Sequence, residues 1–196
     1  MSNVFVDNDR KIIILQDKID QESAYNINTS LINMEMNDNE KEENEKNFKR
    51  NAIKFYINSF GGDVYAGFSI INTIESMKTK VNTISTGVIE SCALNIFLAG
   101  EERYISKNVS VMLHGFSLAF TKNTNILEID EVITHTKEFM LNENKKYILS
   151  RTKIPEKTFN EWMENKVTKY FTTDEVFHYG IATKYLENIW GDKYWC

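Results

Sequence analysis

The stretch Ala52-Ile-Lys-Phe-Tyr-Ile-Asn-Ser-Phe-Gly-Gly-Asp-Val-Tyr-Ala-Gly67 decides the fold class. Its first part reads as a strand. Asn58 to Asp63 is a turn in which Gly61 and Gly62 permit positive φ angles and close backbone approach. Val64, Phe68, Ile71 and Ile74 then recur at three- and four-residue steps, the apolar stripe of a helix running to Met77. The same order repeats outward. Lys11-Ile-Ile-Ile-Leu reads as a short buried strand ahead of a helix over Asp20–Met34, with Ala24, Ile27 and Leu31 on one side. Val81–Thr86 is a strand leading through Gly87 into a helix from Ser91 to Leu98, and Arg103–Ser106 and Val109–Leu113 are further strands. Strands alternating with helices predict an α/β fold, with parallel pairing and helices on the sheet faces.

Two segments stand apart. Asn37 to Asn47 is densely charged and lacks the apolar residues to pack, so positions 36–50 read as a charged insertion, either a solvated helix end or a loop. Ile126 to Leu149, within a helical stretch over about 124–150, carries Ile126, Ile129, Ile133, Met140 and Tyr147 on a stripe. Such a helix is about 36 Å long, more than a sheet of this size needs as cover, which predicts packing against something else, such as another subunit. Pro155 suits the start of a further helix, and a last helical segment ends near Gly180. The 196 residues read as one domain with no linker.

Composition narrows the function. The net charge of −5 offers no electrostatic footprint for nucleic acid. No apolar run approaches the ~20 residues of a membrane span, and the N-terminus does not read as a signal peptide, so the expected location is cytoplasmic. Two cysteines, Cys92 and Cys196, make no disulfide framework, and no Cys/His spacing asks for a metal; no cofactor is expected.

Ser91 is placed where a strand–turn–helix would expose its hydroxyl at a helix start, among backbone N–H groups that favour negative charge. That setting suits a nucleophile and its oxyanion. Among three histidines, His114 ends a strand-like run, as Ser91 follows one, and residues of α/β sites converge at the carboxyl ends of strands of one sheet. Gly61-Gly62 would add a bare backbone N–H. A Cys92–His114 pair is the rival nucleophile–base arrangement. His135 and His178 read as structural or surface residues.

At these residues the chain resembles the proteolytic subunit of Clp protease. Tyr56-Ile-Asn-Ser-Phe-Gly-Gly-Asp-Val-Tyr-Ala-Gly, Gly87-x-x-x-Ser91, Val111-Met-Leu-His114 and Tyr170-Phe-Thr-Thr-Asp-Glu-Val-Phe-His-Tyr-Gly180 follow that family's order and spacing, over roughly Val6 to Leu186. The resemblance implies a Clp/crotonase-like fold of repeated ββα units with a projecting handle helix, here Ile126–Leu149. It implies a serine endopeptidase acting on unfolded polypeptides by acyl transfer, with Ser91 as nucleophile and His114 as general base. Backbone N–H groups of Gly61 and Cys92 would form the oxyanion hole. Gly62, Asp63 and Val64 would hold the peptide as an added strand. It further implies homo-oligomeric, stacked heptameric rings and an ATP-driven unfoldase partner.

The chain departs from the family at several places. The position of the third catalytic residue, usually aspartate, falls on Thr168, which accepts a hydrogen bond but brings no charge; Asn165 or Glu164 would substitute if the loop shifted. Phe60 replaces a proline, Gly115-Phe116 replaces Gln-Pro, and Ala93 stands in place of glycine. Glu90 adds a negative charge beside Ser91. The family also has a longer segment before its first strand, which engages the unfoldase. These departures support a second expectation, a weakly active or inactive ring subunit. A third, a crotonase-type acyl-thioester enzyme, would need a coenzyme A pocket that no sequence feature requests.

Overall fold

The computed structural model describes residues 3–115, 133–134, 138–165 and 167–187. Among them, in chain order, run β1 (Val4–Asp7), β2 (Ile12–Gln16), α1 (Gln21–Asn44), β3 (Ile53–Asn58), α2 (Val64–Ser76), β4 (Val81–Ser85), β5 (Val88–Glu90) and α3 (Cys92–Leu98). Then come β6 (Arg103–Ile105), β7 (Ser110–Leu113), a π-wound turn over Phe139–Asn144 leading into α4 (Lys145–Arg151), α5 (Glu156–Glu164), β8 (Lys169–Tyr170), α6 (Thr173–His178) and β9 (Lys184–Tyr185).

The mixed α/β architecture has two sheets. Six strands in the order β1-β2-β3-β4-β6-β9 form the larger, parallel throughout except for the antiparallel β1–β2 edge. The smaller sheet runs β5-β7-β8, with β5 and β7 parallel and β8 antiparallel to β7. A single parallel bridge, Ser59 to Ile89, joins the end of β3 to β5 across the seam. The sequence reading had Gly61-Gly62, Ser91 and His114 converge on one sheet. Instead β5 splits off after Gly87, so the glycines belong to one sheet and Ser91 and His114 to the other.

The core forms where the alternating apolar positions of β3 (Ile53, Phe55, Ile57) meet Ala24, Ile27 and Leu31 of α1 and Ile70, Ile71 and Ile74 of α2. Every residue of α3 is buried, which fixes the segment that follows Ser91. Phe68, expected on the buried stripe, packs at its margin against the rings of Phe139 and Tyr147.

The charged run ends a helix, exposed from Glu40 onward, with Asp38 as the buried exception. Helix α1 begins at an Asp20–Ser23 capping box and continues ten residues past Met34, through the stretch expected to be a solvated end or loop. Two tertiary anchors hold it. Asp38, 1% exposed, accepts hydrogen bonds from Lys11 Nζ and from the Thr79 hydroxyl. Arg50 binds Asn39, Glu42 and Thr79 and lies 3.2 Å from Glu35. Asp38 follows Met34 by four residues, so a charge occupies the buried helix face and takes its partner from β2's approach. Of the long helix expected over Ile126–Leu149, the part from Glu138 onward is helical, π-wound at first; most of the remainder lies outside the described residues. Among the described residues no helix is long and apolar enough to cross a membrane, and no cluster of His, Cys, Asp and Glu has metal-binding geometry.

Candidate active site

Ser91 sits on a strained turn. Its φ of 55° and ψ of −127° lie in a region that L-residues rarely adopt, and they swing the chain from β5 into α3. The sharp strand-to-helix turn that presents a nucleophilic serine has this form. Its N–H donates to the Met112 carbonyl at 2.9 Å, and its carbonyl accepts from Leu94 at 3.1 Å. Among the described residues the Ser91 hydroxyl has no hydrogen bond, and the side chain is half-buried. With only seven residues, α3 supplies little dipole; its leading backbone N–H groups are what remain available.

His114 follows β7 directly. Parallel pairing sets Glu90 opposite Met112, so Ser91 and His114 both leave the same end of neighbouring strands. Across β7 and β8, Leu113 faces Lys169, and the next pair in that register is His114 and Thr168. Three residues expected to act together therefore follow one another across adjoining strands in the order Ser91, His114, Thr168. Thr168 is exposed. Asn165 and Glu164 lie at the end of α5, exposed; the Asn165 amide donates back to Glu161, so neither is turned toward His114 by a hydrogen bond.

The glycines close the other side. Gly61 (φ 98°) and Gly62 (φ 153°) have backbones forbidding to other residues. A Cβ on Gly61 would stand 2.9 Å from the Ser91 Cβ and 3.1 Å from the Cys92 nitrogen, so this backbone lies directly against the turn. The Gly61 N–H, however, donates to the Ser59 hydroxyl at 3.0 Å. Ile19 takes the adjoining groups, its N–H donating to the Gly61 carbonyl and its carbonyl accepting from Asp63. The N–H groups of Gly62 and Cys92 have no partner among the described residues. This corrects the expectation for Gly61, whose donor is engaged.

The added-strand expectation also narrows. Asp63 caps α2, its carboxylate accepting from the Tyr65 and Ala66 amides, and Val64 is already the first helical residue. Among the described residues, the N–H groups of Gly62 and Val64 are the unspent donors of this segment.

Cys92 is removed as a rival nucleophile. It is 1% exposed, its Sγ packs on Gly67 of α2, and its thiol reaches the Asp63 carbonyl at 3.6 Å. Burial, reinforced by the Asp63 charge, pushes the thiol pKa up to about 12, far from a thiolate at neutral pH. Glu90 is 8% exposed, and the Ser110 hydroxyl donates to its Oε1 at 2.6 Å. Ser59 and Ser110 are not candidates from sequence: strand register, which brings Ser110 beside Glu90, has no local signature, while Ser59 accepts from the amide two residues on in its own turn.

The comparisons with known proteins agree with one another. The family model described as Clp protease matches residues 5–188. The chain is 31% identical over 133 residues to an ATP-dependent Clp protease proteolytic subunit of Leuconostoc citreum, a match covering 65% of this chain and 62% of that protein. It is 28% identical over 138 residues to the protein of the same name from Deinococcus radiodurans, covering 69% and 65%. The chain thus spans just under two thirds of the length of these relatives.

Proposed function

The chain belongs to the Clp protease family, and from that premise we propose that it is a serine-type endopeptidase cleaving unfolded polypeptide by acyl transfer. The observation that carries the reading is the strained turn at Ser91, tied by its N–H to the strand that His114 directly follows. In this mechanism the Ser91 Oγ attacks the scissile carbonyl while His114 takes its proton. The N–H groups of Cys92 and Gly62 stabilise the oxyanion, with Gly61 holding the turn in place. His114 then gives its proton to the leaving amine, and water, deprotonated in turn by His114, releases the acyl group from Ser91. The Thr168 hydroxyl accepts from the imidazole, without the charge an aspartate would supply.

The relatives are named subunits of an ATP-dependent protease. We extend this to a homo-oligomeric chamber of stacked heptameric rings, located in the cytoplasm and fed by an ATP-driven unfoldase. A second reading, a ring subunit of low activity, is favoured by one observation: no carboxylate stands at position 168. Treatment with a fluorophosphonate followed by peptide mapping separates the two. An adduct on Ser91, lost in Ser91→Ala and His114→Ala, supports the peptidase; well-folded protein without an adduct supports the inactive subunit.

A further inference from the structure

We propose that Glu90 is a specificity residue, its carboxylate receiving the cationic end of a lysine or arginine side chain next to the scissile bond of a substrate peptide. This rests on the reading of Ser91 and His114 given above.

Strand β5 alternates: Ile89 turns into the core, fully buried, and Glu90 therefore turns to the opposite face. Pairing with Met112 puts that face on the side shared, at two-residue steps along β7, by Ser110, Met112 and His114. Glu90 also immediately precedes Ser91. A carboxylate thus stands on the face where the base lies, one residue from the nucleophile.

That carboxylate is incompletely paired. It is 8% exposed, and its hydrogen bond comes from the neutral Ser110 hydroxyl. Among the described residues it makes no ion pair. Asp38, the other well-buried carboxylate, shows the usual solution, a lysine amine set against it. Lys169, on β8, belongs to the opposite alternation and is committed to Glu175 and to the rings of Trp162 and Phe171. A hydroxyl fills a lone pair without neutralising the charge, and a buried anion is stabilised by a desolvated cation brought to it.

The flanks fit the stem of such a cation. The Ser59–Ile89 bridge brings Phe60 beside Glu90 on one side, and Met112 stands opposite it on the other. Phe60 is 67% exposed, unusual for so large an apolar side chain, and offers an aromatic face for a guanidinium or a lysine stem. Register thus sets an aromatic residue, a carboxylate and an apolar residue, Phe60, Glu90 and Met112, side by side next to Ser91. An acidic side chain in the same place would be repelled.

The test uses the full chain in its native assembly and fluorogenic peptides differing only in the residue before the scissile bond: arginine, lysine, norleucine or glutamate. Wild type is expected to favour arginine and lysine over norleucine by about tenfold or more in kcat/KM, and Glu90→Gln to bring that ratio close to one. No basic preference in protein whose Ser91 takes the fluorophosphonate overturns the inference and leaves the peptidase reading standing; so does a preference that survives Glu90→Gln. Absence of any Ser91 adduct overturns both. Should Glu90→Gln fail to fold, inhibition of wild type by peptide aldehydes ending in arginine against norleucine decides the matter, equal potency overturning the inference.

Discussion

The Ser91 amide donates to the Met112 carbonyl at 2.9 Å, so the turn bearing the hydroxyl is pinned to the strand that delivers His114. Ser91 and His114 are thus carried by one connected piece of main chain, while Thr168 comes from a separate element, just before β8.

Thr168, just before β8, continues its register opposite His114, which makes Thr168→Asp a direct test of the missing charge. An anion there would hold the imidazole in one tautomer and stabilise its protonated form. Loss of the equivalent group costs about 10⁴-fold in a well-studied serine protease, so a gain of about 10²-fold or more in kcat is expected here. Peptidase assays at fixed enzyme concentration check it; an unchanged rate would mean that orientation comes from elsewhere.

Much of this was legible in the chain itself. The strand–turn–helix at Gly61-Gly62 and the apolar runs before Ser91 and His114 are local patterns, and local patterns survive into structure. What stayed hidden depends on register. Nothing near Glu90 announces Ser110, and nothing near Thr86 shows the chain crossing into a second sheet, whereas the Ser59 hydroxyl takes the N–H of Gly61 two residues on, a local turn motif. Asp38 is hidden for a related reason: its polarity suggests solvent, while its partners, Lys11 and Thr79, are 27 and 41 residues away.

Cys92 should resist alkylation in the folded protein. Its thiol is enclosed and its pKa is pushed up to about 12, so it stays protonated at pH values up to ~9. Iodoacetamide treatment with peptide mapping is expected to show modification at Cys92 only after denaturation. Rapid labelling of native protein would restore the cysteine as a candidate nucleophile.

Gly67 has no room to grow. A Cβ there would lie 2.1 Å from the Cys92 Sγ, forcing α2 and α3 apart. Gly67→Ala is expected to lower stability by about 1–3 kcal/mol, and adding Cys92→Ala should recover most of the loss. Urea unfolding of the single and double variants measures this. Additive losses would show that the contact is not the cause.

The Arg50 anchor predicts a specific acid response. Hydrogen bonding from Arg50, partly opposed by burial, holds Glu42 below its ordinary 4.5. Burial pushes Glu35 up, but hydrogen bonds from Thr79 and Lys78, with the Arg50 charge, outweigh it and hold this carboxyl low too. Groups with lowered folded values stabilise above their unfolded pKa and lose that contribution as pH falls through the folded one. Wild type should therefore exceed Arg50→Met in thermal midpoint near neutrality, with the gap closing once pH drops below 4.5. A gap that persists in acid would assign the effect of Arg50 to packing.

The backbone at Ser91 carries a cost that sets activity against durability. Its φ of 55° and ψ of −127° mirror an ordinary extended conformation and are comfortable only without a Cβ. Ser91→Gly should accordingly be more stable than wild type by about 1 kcal/mol, whereas Ser91→Ala, which keeps the Cβ, should gain nothing. Drift toward a sturdier chain would thus discard the hydroxyl first. A serine kept there holds its place against the fold's own preference, and only what the hydroxyl does can repay that.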